Sequence, residues 1–206
     1  MKCSSPVLAL LGLIAALLLP GPQMANAQPA GSRVRGTIES VNGQILIVKA
    51  RDGTNVVMRM AGNVRLTGVV PISRDEVKAG AYIGVTSVRA EDGTDRATEV
   101  HVFPEAMRGT GEGSQPWDSV PNSTMTNGGL AKTVTGNDGQ VLTVTYKGGE
   151  KQVVLTPQTV VVTFVPAERG DIRVGAKIIA ATSRAADGAL EVTRISVGRD
   201  GLTPPM

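Results

Sequence analysis

The chain is poor in the side chains that most often carry chemistry. Its 206 residues include one cysteine, one histidine and one tryptophan, and only 2% are aromatic. Cys3 lies before the N-terminal apolar run, within the first 27 residues, so the rest cannot form disulfides and must depend on a core and on sheet pairing. Lysine and arginine are scattered, with a net charge of only +3. A basic stripe with stacking aromatics is lacking, so we expect no nucleic-acid partner.

β-Branched residues are abundant instead. After position 27 the chain contains 26 Val, 19 Thr and 9 Ile. Such residues favour strands, and the apolar content is sufficient for a folded core. The composition therefore predicts an all-β protein.

The N-terminal 27 residues have the pattern of a secretory signal peptide. Lys2 provides the positive start, residues 7–19 are apolar, and Ala25 and Ala27 are the small residues before a cleavage site. No later segment approaches 18 apolar residues in a row. We expect cleavage after Ala27, a periplasmic location and no membrane span in the mature chain.

An internal repeat follows. Residues 74–102 match residues 169–197 with a constant offset of 95, and ten of the 29 positions are identical. Earlier parts correspond after small shifts, which gives a first copy over residues 34–103 and a second copy over residues 129–198.

Each copy alternates apolar and polar residues with period two between glycine-containing turns. We expect two repeated OB-like β-barrel domains of five to six strands each, because closure removes exposed sheet edges. One β-sandwich built from both copies is the alternative. Residues 104–128 are rich in Gly and Pro and predict a linker. Trp117 lies within that linker, and we expect it to dock on a barrel as an interdomain anchor.

Several motifs resemble a family of exported bacterial domains of unknown function. The residues that carry the resemblance are Gly36-Thr37-Ile38, the stretch 102–113, Pro116-Trp117-Asp118 and the segment 123–127. Similar full-length proteins often carry the name metal ABC transporter permease. A permease needs several spanning helices, which this sequence lacks after its signal. In the family a His often follows Gly-Glu-Gly, where this chain has Ser114.

The sequence shows no catalytic grouping, no cofactor motif and no paired Cys/His spacing for zinc. His101 alternates with Val100 and Val102, so we expect a structural residue that faces solvent. The weak metal candidates are Met58, Met60, His101 and Met107, because thioethers select Cu(I). Met58 and Met60 alternate with Val56, which favours a place in the core.

Three hypotheses about function follow. The first is a non-enzymatic exported module that binds an envelope protein or a small ligand. The second is a periplasmic copper-handling protein that uses Met and His ligands. An enzyme is the third and the weakest.

The cleavage site gives a direct prediction. Protein isolated from the periplasmic fraction should begin at Gln28, because small residues at Ala25 and Ala27 fit the signal peptidase. Intact mass spectrometry checks this. A membrane-bound chain that retains Met1 would contradict it.

Overall fold

The computed structural model describes residues 32–136 and 139–206, so the predicted signal peptide lies outside the described residues. This part of the chain is all-β, as the composition predicted, with three single-turn 3-10 helices at Arg74–Glu76, Glu105–Met107 and Arg169–Asp171. No helix among these residues is long and apolar enough to cross a membrane. The strands are β1 (Arg33–Asn42), β2 (Ile45–Ala50), β3 (Asn55–Pro71), β4 (Tyr82–Arg89), β5 (Asp95–Val102), β6 (Gly113–Trp117), β7 (Ser123–Gly136), β8 (Gly139–Tyr146), β9 (Gly149–Pro166), β10 (Lys177–Arg184) and β11 (Leu190–Gly198).

Five strands close one barrel, which we call barrel 1. Strand β2 pairs antiparallel with β1 and β3, and β10 pairs antiparallel with β1 and β11. The circuit closes where β11 runs parallel to β3. Barrel 1 therefore has the order β1-β2-β3-β11-β10, and closure leaves none of these five strands with an unpaired edge along its whole length.

A second circuit of five strands, barrel 2, has the corresponding order. Strand β8 pairs antiparallel with β7 and β9, and β4 pairs antiparallel with β7 and β5. The parallel pairing of β5 with β9 closes it. Strand β6 then adds to the outer side of β7.

The two copies exchange their last strand pairs. Barrel 1 takes β1, β2 and β3 from the first copy and β10 and β11 from the second, and barrel 2 takes the complementary set. This differs from the expectation that each copy closes its own barrel. The physical reason is that β4-β5 and β10-β11 have the same pattern of inward apolar residues, so either pair can fill the gap between the first and third strands.

Each barrel has its own core. Barrel 1 buries Met58 and Met60, each 1% exposed, beside Ile178 and Ile195, as expected for core side chains. Barrel 2 buries an equivalent set around Ile83.

The barrels are also joined directly to each other. Residues 67–71 of β3 pair antiparallel with residues 162–166 of β9. Beside this junction, Val69, Val162, Ile179 and Met206 form a third apolar cluster. The outer faces of the two barrels are therefore partly buried against one another.

The segment 104–128 is more ordered than the predicted linker. It contains a 3-10 turn, the whole of β6 and the first residues of β7. Its glycines supply backbone conformations with positive φ, such as Gly109 at 86° and Gly111 at 58°, which let the chain turn back into β6. Period-two reasoning missed β6 because this short strand contains Pro116 and covers only one edge.

Candidate functional site

A cavity of about 610 Å³ lies between the two barrels. We call it the inter-barrel cavity. Its walls are the outer faces of β3, β10 and β11 on one side and of β5, β7 and β9 on the other, and β6 with residues 106–111 covers it. This volume lies within the range of about 300–1,000 Å³ that is usual for small-molecule sites.

The wall from barrel 1 carries three arginines in one row. The strand register aligns Arg33 with Ala181, Ala181 with Arg194, and Arg194 with Arg65 across four neighbouring strands. We call these four residues the arginine rung. Since residues aligned across a sheet point to the same face, all four side chains project outward from barrel 1 toward the cavity, which they line.

Arg65 and Arg194 are immediate cross-strand neighbours of like charge. Neither forms an ion pair with a carboxylate in the part of the chain that the structure describes. Both are exposed, which places them at the open side of the cavity. Like charges directly opposite each other are unfavourable in a sheet. An anion bound between the two guanidinium groups would reduce their mutual repulsion.

The wall from barrel 2 contains a buried chain of polar groups. The Nδ1 atom of His101 lies 2.8 Å from Oε1 of Glu99, and Thr86 donates its hydroxyl to the other carboxylate oxygen at 2.9 Å. Glu99 is 1% exposed and His101 3%. A buried carboxylate is costly unless hydrogen-bonded, and here both of its oxygens have partners. Phe103 and Phe164 contact the imidazole edge-on, with ring centroids 4.7 and 5.4 Å away.

The Nε2 atom of the imidazole lies near the side-chain amide of Asn127. Asn127 donates its Nδ2 hydrogens to the carbonyls of Thr110 and Gly111 at 3.3 and 3.2 Å, which orients the side chain. Its Oδ1 atom is buried without a hydrogen-bond partner. That oxygen and Nε2 of His101 both occupy the space that a Cβ on Gly84 would fill. Only glycine at position 84 therefore leaves room for the two groups to meet at the cavity wall.

The cover is fastened to barrel 1 by Trp117 and Asp118. The guanidinium carbon of Arg33 lies 3.8 Å from the centroid of the Trp117 ring, an arrangement worth about 0.5–1 kcal/mol at an exposed site. Arg35 donates to Asp118 at 2.7 Å and to the main-chain oxygen of Met206 at 2.7 Å. The hydrogen bond from Arg35 lowers the pKa of Asp118. Trp117 thus contacts barrel 1 from a strand attached to barrel 2, where the predicted anchor would act.

The sequence-predicted metal candidates fall in two places. Met58 and Met60 lie inside barrel 1, while His101 and Met107 line the inter-barrel cavity. Two further methionines, Met125 and Met206, line it as well. Among the described residues, no group of three or more His, Cys, Asp or Glu side chains is arranged to hold a metal ion.

The expectation that His101 faces solvent is wrong. Period two correctly separates His101 from Val100, but Phe103 and Phe164 pack against the outward-facing imidazole, so His101 is buried although it lies on the outer face of β5. A signal for the site was present in the repeat. At the offset of 95, Glu99 corresponds to Arg194 and His101 to Ser196, so equivalent outward positions differ in charge between the copies.

Comparisons with protein families, curated proteins and solved structures found no match. The chemistry must therefore be judged from the geometry. Among the described residues, the cavity combines two arginines that have no ion-pair partner with an aromatic group around a hydrogen-bonded imidazole. No hydroxyl among these residues hydrogen-bonds to Nε2 of His101.

The packing at Gly84 gives a prediction for the wall. Gly84→Ala should lower the free energy of unfolding by about 1–3 kcal/mol and displace the imidazole, because the new Cβ needs the space of Nε2 and of the Asn127 oxygen. Chemical denaturation and the NMR signals of the single histidine measure the two effects. Gly62→Ala is the control, since nothing lies within 4 Å of its added Cβ. Equal behaviour of the two variants would contradict this account.

Proposed function

We propose that this protein is an exported, non-enzymatic binding module whose ligand occupies the inter-barrel cavity. The observation that carries the proposal is one cavity with two complementary walls. Arg65 and Arg194, which have no ion-pair partner among the described residues, line one side, and Phe103, Phe164 and the methionines line the other. A concave site that combines a mainly apolar surface with a few charged groups is typical of small-molecule binding.

We propose that the barrels are two OB-like domains that arose from one duplicated unit. The closed circuits of five strands support this, because an OB fold is a five-stranded Greek-key barrel that presents an outer face to ligands. Export to the periplasm through a signal peptide over residues 1–27 completes the proposal.

A neutral aromatic probe tests whether the cavity binds ligands. N-phenyl-1-naphthylamine should bind near Trp117 and quench its emission, because Phe103, Phe164 and Met125 offer apolar contacts there. Ala181→Phe should abolish the quenching by filling the cavity from the middle of the arginine rung. Fluorescence titration of this single-tryptophan protein is the measurement.

The control for that experiment is Ala186→Phe, which adds the same side chain at an exposed turn position. It should bind the probe as the wild type does. Absence of binding in the wild type, or equal binding in the Ala181→Phe variant, would overturn the cavity as the site.

Copper handling is the second candidate function, and one observation favours it. Glu99 holds Nδ1 of His101, and a carboxylate in that position is the arrangement that orients many metal-binding histidines. Nε2 is then the ring nitrogen left for a metal ion, and His101 lines the same cavity as Met107, Met125 and Met206. Imidazole and thioether groups are suitable ligands for Cu(I).

A competitive titration with Cu(I) separates the two candidates. The leading proposal predicts no site tighter than about micromolar, a binding free energy near 8 kcal/mol. Stoichiometric Cu(I) that survives dialysis would instead place copper handling first, provided that Met125→Leu weakens it and Met58→Leu does not. Both exchanges conserve volume, and Met58 lies in the core of barrel 1, away from the cavity.

A further inference from the structure

We infer that the ligand of the inter-barrel cavity is an amphipathic organic anion, with its acidic group at Arg65 and Arg194 and its apolar body against the aromatic wall. This inference rests on the proposed binding function and adds the chemical class of the ligand. It depends on the charge distribution of the cavity and on the division between its two walls.

The acidic group is placed by charge. Glu99 is the carboxylate behind His101 in the barrel 2 wall; it does not line the cavity, and His101 and Thr86 already hold it. Arg33 is stacked on Trp117 and lies 3.5 Å from Asp118. Arg65 and Arg194 are therefore the cations of the rung that no described group neutralises. Two adjacent guanidinium groups can bind one carboxylate, sulfonate or phosphate through charge-assisted hydrogen bonds, which would also relieve their mutual repulsion.

The body of the ligand is placed by the opposite wall. Phe103 and Phe164 lie 5.4 Å apart between ring centroids and border the same cavity as Met107 and Met125. An inorganic anion would satisfy the arginines but leave this apolar wall uncovered. A molecule with an aromatic or aliphatic body would cover it, and such contacts usually form most of a small-molecule site.

A pair of related probes isolates the charge. 8-Anilino-1-naphthalenesulfonate has the framework of N-phenyl-1-naphthylamine with an added sulfonate, and both retain the bridging N–H. The double variant R65Q/R194Q should weaken sulfonate binding about tenfold, as the loss of charge-assisted contacts predicts. Binding of the neutral probe should change less than twofold. Energy transfer from Trp117, which lines the cavity, reports that the probe is bound near this side chain.

The matched control is R173Q/K177Q, which removes the same charge from barrel 1 outside the cavity. Lys177 lines a separate cavity of about 310 Å³, so this control also tests that basic pocket. The control should bind both probes as the wild type does. Weakening of sulfonate binding by the control to the same extent, or no weakening by R65Q/R194Q, would overturn the inference.

Inorganic phosphate at matched ionic strength should fail to displace the sulfonate probe, because it lacks the apolar body. Displacement by phosphate alone would overturn the amphipathic class. If the neutral probe binds in the cavity while the sulfonate shows no dependence on Arg65 and Arg194, the ligand class is wrong and the binding function stands. If neither probe binds, the proposed function itself fails.

Discussion

The exchange of strand pairs between the two barrels is the constraint on which the rest of the structure depends. Barrel 1 closes through the parallel pairing of β11 with β3, and barrel 2 closes through the parallel pairing of β5 with β9. Each of these pairings joins distant parts of the chain. A parallel pair needs a crossover connection, and here the crossover leads from one barrel into the other. The barrels are consequently held together by chain connectivity as well as by packing.

This constraint explains why the cavity has two dissimilar walls. Equivalent outward faces of the two barrels are brought together, with Glu99 and His101 on one and Arg194 and Ser196 on the other. If both faces had kept the same residues, like charges would meet across the interface. At these positions barrel 2 instead carries a buried Glu99 that is hydrogen-bonded to His101, and barrel 1 carries Arg194, which has no ion-pair partner among the described residues.

Sequence reasoning predicted the strands, the turns and the barrel cores because those follow from local periodicity. The place of Met58 and Met60 in the core, for example, needed no knowledge of distant contacts. The exchange could not be predicted, since β4-β5 and β10-β11 have the same inward pattern and loop closure alone does not choose between them. His101 was misplaced for the same reason: period two gives the face of a strand, but it does not reveal what covers that face.

The hairpin between β1 and β2 shows how far the local rules extend. The dipeptide Asn42-Gly43 favours a two-residue turn with positive φ at both central residues. The structure forms the tight turn one position later, with Asn42 paired to Ile45 and only Gly43 at positive φ, 59°. Glycine at the first central position fits a type II′ turn, which is one of the two turn types that hairpins favour. The turn was predictable, but its register was set by the bulge in β1 and by pairing along the strand.

The cover over the cavity completes the argument for a preformed site. Arg35 is 8% exposed and holds both Asp118 and the main chain of Met206, so β6 and the last residues meet at one buried guanidinium. Opening of the cover would leave the buried guanidinium with the Met206 carbonyl as its one remaining partner among the described residues, while the 49% exposed carboxylate of Asp118 would return to water. A ligand that enters between the barrels therefore meets walls and a cover that are already positioned. Less ordering is then required on binding, which is the condition under which a few polar contacts give useful affinity.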